Sequence, residues 1–131
     1  MKQPIQALLV YDQAEHLDAL KGHLEAQSVL VWQVPTLKQA VEFLQSPAPP
    51  PLVFTDMALS DGTWADVLAH AARALATVNV IVVSRWVDAK AHISAIECGA
   101  FDFLVPPFDS YEVAHVVRCA LTNVNGRRAA R

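Results

Sequence analysis

The stretch LVFTDMALSDG (residues 52–62) runs four residues suited to a buried strand into a single acid, Asp56, and then turns at Asp61-Gly62. A short apolar run bounded by turn residues is the pattern of a strand covered on both faces, as in a parallel sheet. A carboxylate at the mouth of such a strand is costly to desolvate unless something pairs with it. What the other strand ends carry therefore decides what Asp56 is for.

Working outward from residue 52, the same pattern recurs. IQALLVY (5–11), SVLVWQV (28–34), VNVIVVS (78–84) and FDFLV (101–105) read as further strands. Between them lie helical segments. Leu17, Leu20 and Leu24 have helical spacing, and Asp12-x-x-Glu15 is a candidate capping box. Thr36-x-x-Gln39 opens a second helix, and WADVLAHAARAL (64–75) is a third. Asp88 is a candidate cap for a fourth helix that stops at Gly99, and Asp109-x-x-Glu112 opens a fifth. SPAPPP (46–51) cannot continue a helix. Five strands alternating with five helices predict an α/β fold with a parallel sheet between two helical layers, a three-layer α/β/α sandwich.

The 131 residues suit one domain, and 53% hydrophobic content suits a real core. Net charge is −3, and three of the ten basic residues fall in the last five positions, so residues 1–126 carry seven bases against thirteen acids. That balance argues against a nucleic-acid surface. Cys98 and Cys119 form neither a CxxC motif nor a disulfide framework and read as reduced thiols. No segment is long enough to span a membrane, and the apolar stretch near the start is too short for a signal peptide. The expected location is the cytoplasm. The five histidines, at positions 16, 23, 70, 92 and 115, lack ligand spacing and read as surface residues, while Trp32 and Phe54 read as core. The tail NVNGRRAAR (123–131) reads as a solvated end or the start of a linker, leaving a domain over 1–122.

In an open parallel sheet, ligands bind beyond the carboxyl ends of the strands, where the strand order reverses. Those ends carry Tyr11 and Asp12, Thr55 and Asp56, Ser84 and Arg85, then Val105 and Pro106-Pro107. Neighbouring strands lie about 4.8 Å apart, so if the first and third strands are adjacent, Asp12 and Asp56 converge. Two converging acids suit a hard divalent cation such as Mg2+. The other reading is that Asp12 caps the first helix and Asp56 caps a turn.

With these residues assembled, the chain resembles the receiver domain of two-component response regulators over about residues 5–122. LLVYDQAEHLDAL (8–20) matches the first strand and helix, and LVFTDMALSDG the phosphoacceptor strand and its loop. VIVVSRW (80–86) matches the fourth strand ending in Ser or Thr, and ECGAFDFLVPPFD (97–109) the Gly-Ala-x-Asp-aromatic-Leu-x-Lys-Pro-Phe signature. The resemblance implies a flavodoxin-like sheet of order 2-1-3-4-5. It implies that Asp56 accepts a phosphoryl group and that Mg2+ is held by Asp12, Asp56 and the carbonyl of Ala58. Ser84 would bond a phosphoryl oxygen, and Phe103 would be the switch aromatic. It implies a sensor histidine kinase or phosphotransfer protein as partner. An output domain in a longer chain or a homodimer would be further partners. Signalling would pass through the face of the fourth helix, fifth strand and fifth helix. No enzymatic activity is implied beyond Mg2+-assisted self-phosphorylation and dephosphorylation of Asp56.

Three departures matter. Tyr11 stands where the first of two acids is usual. An acid about 5 Å from a dication in a water-like dielectric contributes roughly 1.7 kcal/mol, so its loss weakens the metal about tenfold. The lysine position is Pro106, which offers neither charge nor donor, and Pro106–Pro107 is predicted cis because the next proline is the one usually preceded by a cis bond. Arg85 follows Ser84 where a small residue is usual. It either supplies the missing cation or is a solvated strand-end charge. Trp86 either anchors a partner or packs on Phe103 or Phe108. Two functions thus compete: a phosphorylated receiver of atypical site, and a phosphorylation-independent docking module. A nucleotide-binding enzyme is disfavoured, since the four glycines form no phosphate loop.

Overall fold

The computed structural model describes residues 4–130. The chain runs β1 (Gln6–Val10), α1 (Glu15–Ala26), β2 (Leu30–Val34), α2 (Leu37–Leu44) and β3 (Leu52–Asp56). It continues with β4 (Ala58–Leu59), β5 (Gly62–Thr63), α3 (Trp64–Ala72), β6 (Asn79–Val83), α4 (Ala89–Glu97), β7 (Asp102–Leu104) and α5 (Ser110–Ala130). Five strands form one parallel sheet in the order β2-β1-β3-β6-β7, which is the expected 2-1-3-4-5 when the sheet strands alone are counted. The short strands β4 and β5 form an antiparallel hairpin of their own, which the sequence does not announce.

The two-residue period of the strands sorts the core into two layers. Leu9, Phe54 and Ile81 are paired across β1, β3 and β6 and face one side, where Leu17, Leu20, Val113 and Val117 of α1 and α5 cover them. Leu8, Val53 and Val80 point to the other side, under Ala40, Leu44, Val67 and Ala95 of α2, α3 and α4. Both faces are dry, so the central strands are apolar without alternation, as residues 52–55 indicate.

Several elements start where their caps demand. The Thr36 hydroxyl accepts from Gln39 N, the Asp88 carboxylate from Ala91 N, and Asp109 Oδ1 from Tyr111 N at 2.6 Å. The first helix differs from expectation. Its N-cap is Ala14, with no side-chain bond, so Asp12 does not cap it. The hairpin has a structural task instead. Asp61 at its tip accepts from Leu37 N at 2.8 Å and Lys38 N at 3.0 Å, closing the N-terminus of α2 from outside that helix. At the neighbouring Gly62 a Cβ would lie 2.7 Å from Leu37 Cδ2 and 2.8 Å from Asp66 Oδ2, so a side chain there requires those two side chains to shift.

Two further expectations change. Trp32 is not core: β2 is an edge strand, and the indole is 45% exposed, tilted against Phe43. Residues 123–130, read as a solvated end or linker, continue α5. The continuation is held by buried Val124, by Asn79 Nδ2 donating to Ala120 O and Asn123 Oδ1, and by Arg128 donating to Thr77 O and Pro49 O. Pro106–Pro107 is cis, as expected. Among the described residues, no helix is long and apolar enough to cross a membrane.

Candidate functional site

The carboxyl ends of β1, β3, β6 and β7 open on one rim of the sheet. Asp56, the last residue of β3, is half-buried there, and its Oδ1 accepts from Met57 N at 2.8 Å. A cleft of about 240 Å³ surrounds it, lined by His16, Met57, Ala58, Ser84, Arg85, Trp86 and Asp88. Asp12, two residues beyond the end of β1, is exposed and lines a second, larger cleft of about 660 Å³ with Glu15, Asp18 and others. His16 and Arg85 line both clefts.

His16 is the residue that its type misplaces. It is buried at 8% exposure, not on the surface, and its Nε2 lies 3.4 Å from Asp56 Oδ1. Neither ring nitrogen makes a hydrogen bond. The sequence carries a signal for this: His16, Leu17, Leu20 and Leu24 share the i, i+1, i+4, i+8 spacing of one helix face, and α1 turns that face to the sheet. The first turn of α1 rises beside the end of β3, so the imidazole enters the Asp56 cleft.

Tyr11 occupies the position of the missing acid as a core residue. Its side chain is fully buried, and its hydroxyl donates to Asp18 Oδ1 at 2.6 Å. Burial pushes the phenol up, and the bond to the Asp18 carboxylate pushes it further. Ser84, at the end of β6, is buried and engaged with the next loop: its hydroxyl donates to Trp86 O at 2.8 Å and accepts from Trp86 N at 3.2 Å. Phe103 in β7 points inward and is stacked on the His92 ring of α4, centroids 4.9 Å apart. Arg85 is exposed, its guanidinium 6.0 Å from the Trp86 ring centre. Trp86 is 71% exposed, so it does not pack into Phe103 or Phe108.

The implied magnesium set can be compared with these positions. The group facing Asp56 is an imidazole nitrogen, whereas magnesium takes oxygen ligands in near-octahedral array. Asp12 lines the other cleft. Among the described residues, no group of three or more His, Cys, Asp or Glu is placed to hold a metal ion. The side chain set against Asp56 is thus a nitrogen ligand, and the carboxylates of Asp12 and Asp56 line adjoining clefts that share His16 and Arg85.

The model of the response regulator receiver domain matches residues 7–118. The chain is 31% identical over 116 residues to the transcriptional regulatory protein KdpE of Mycobacterium tuberculosis, covering 87% of this chain and 50% of that protein. It is 28% identical over 116 residues to the response regulator protein PilR of Pseudomonas aeruginosa, covering 88% of this chain and 26% of that one. The chain thus spans at most half the length of these relatives. Among solved structures, it is similar to the receiver domain of an HD domain-containing protein from Pseudomonas fluorescens, at TM-score 0.79 and 23% identity over 95% of this chain and 99% of that one. A receiver domain protein from Clostridium thermocellum matches at TM-score 0.78 and 21% identity, over 90% and 94% of the two chains.

Proposed function

The chain belongs to the response regulator receiver domain family of two-component signal transduction, and from that premise we propose that it accepts a phosphoryl group on Asp56. The observation that carries the reading is the placement of Asp56: a half-buried carboxylate at the end of a buried strand, in a cleft shared with Ser84. The donor is a phosphohistidine on a sensor histidine kinase or a phosphotransfer protein. An Asp56 oxygen attacks phosphorus and forms the new P–O bond. The P–N bond of the donor breaks, its electron pair returns to the imidazole nitrogen, and that nitrogen takes up a proton. Catalysis in such a site is chiefly positioning and charge neutralisation.

Receiver domains typically bind magnesium. In this chain Tyr11 removes one acid, and His16 faces Asp56, so we assign it weakened magnesium at most and route no step through the ion. Ser84 supplies the readout. Its hydroxyl leaves Trp86 O for a phosphoryl oxygen, which frees the loop after β6 and biases α4 and the Phe103–His92 stack. The face of α4, β7 and α5 presents Ile93, Ile96 and Tyr111 to solvent for an output domain or a second copy of the chain. We assign no separate enzymatic activity, no nucleic-acid contact and a cytoplasmic location.

The test is incubation with phosphoramidate followed by intact mass measurement. The expected result is one added phosphoryl group on the wild-type chain and none on Asp56→Asn. An unmodified wild-type chain overturns the proposal.

A further inference from the structure

We propose that the Asp56 cleft is a metal-independent phosphoryl site, in which the His16 imidazole, with Arg85 at the rim, binds the oxygens that a divalent cation and a lysine would otherwise bind. The inference rests on the reading of Asp56 as acceptor. His16 is more than nine-tenths buried, and both ring nitrogens lack a hydrogen-bond partner. Buried polar groups in native proteins are nearly always bonded, so a buried imidazole that makes no hydrogen bond and whose Nε2 faces only the Asp56 carboxylate across a cleft is poised for a ligand. Its Nε2 lies 3.4 Å from Asp56 Oδ1. A phosphoryl group joined to Asp56 carries its own oxygens beyond the carboxylate, into the cleft that His16 also lines. An imidazole ring always carries at least one N–H donor for such an oxygen.

Two neighbouring positions have nothing to give a phosphoryl group. The Tyr11 hydroxyl is taken by Asp18, and Pro106 has no donor or charge to offer. Arg85 lines the same cleft, and a guanidinium fork matches phosphate oxygens better than any other side chain. The site therefore keeps its nucleophile and its serine and exchanges the inorganic cation for nitrogen donors of the protein.

The experiment measures the Asp56 adduct formed from phosphoramidate in magnesium and in EDTA, on the full chain. The expected adduct yields agree within about twofold, because a ligand that the site does not bind shifts no equilibrium. His16→Leu, of similar bulk without donors, lowers the yield about ten- to hundredfold, whereas His16→Gln, which keeps an N–H donor, stays within about threefold. A merely structural role for His16 would not separate these two variants. If His16→Leu does not fold, the metal comparison and the glutamine variant decide. An adduct that forms only with magnesium, or equal yields from wild type, His16→Gln and His16→Leu, overturns this inference and leaves Asp56 as acceptor. No adduct under any condition overturns both.

Discussion

Two residues at the rim of the sheet have roles that their residue types do not announce. Tyr11 replaces an acid, and its phenol is buried and bonded to Asp18. Tyr11→Phe removes that bond while leaving the exposed Asp18 carboxylate to water, so the expected loss is about 1 kcal/mol by urea denaturation. The raised phenol also sets a pH dependence. The folded chain keeps a proton that the unfolded chain releases near the ordinary phenol value of 10.0. The Tyr11 contribution is therefore complete below that pH and declines as pH rises toward the higher value of the folded state. Denaturant midpoints of wild type should fall more steeply than those of Tyr11→Phe above about pH 10, near the ordinary tyrosine value. Parallel curves would contradict this account of Tyr11. Arg85 is separable in the same way. Arg85→Ala should lower the phosphoramidate yield at Asp56 by a few-fold, about one charge-assisted hydrogen bond at a solvated rim, and an unchanged yield would return Arg85 to the role of a strand-end charge.

At the scale of elements, the hairpin after Asp56 links the acceptor strand to α2. Asp61 accepts from two backbone amides of the first turn of α2, and these bonds hold its carboxyl below the usual carboxylate range. The sign follows: its contribution to stability is present above the ordinary value of 3.8 and is lost as pH falls through the lower folded value. Asp61→Asn should therefore be less stable than wild type at neutral pH, and the difference should shrink in acid. A gap that persists unchanged to low pH would mean that the carboxylate charge contributes nothing. The caps at Thr36, Asp88 and Asp109 were legible because each side chain closes its own helix three residues on or nearer. Asp61 was not, because its partners lie more than twenty residues away and no local spacing reports them.

For the whole molecule, the parallel sheet and its two dry faces follow from alternating apolar runs and helical segments, the strand order follows from the family resemblance, and the structure matches them. What the pattern hid was side-chain direction at the edges. Trp32 looked like core because β-rich residues surround it, yet β2 is an edge strand. His16 looked like surface because it is polar, yet it lies on the packed face of α1. The candidate residues Asp12, Asp56, Ser84 and Phe103 are legible as strand ends and motif positions, but which of them share a cleft is set by packing. The end of α5 is hidden because its composition reads as polar and glycine-containing, while among the described residues after 122 only Val124 is buried. A chain ended after residue 122 loses Val124 and the Asn123 and Arg128 bonds. The expected loss is about 3 kcal/mol in denaturant unfolding. No change would show that the last turns do not contribute to the fold.

The most direct measurement on the central claim locates the phosphoryl group. The phosphorylated chain is reduced with borohydride, which converts an aspartyl phosphate to homoserine, and then sequenced by tandem mass spectrometry. The account requires homoserine at position 56 and nowhere else. Homoserine at another aspartate, or an intact Asp56 in every peptide, would contradict it.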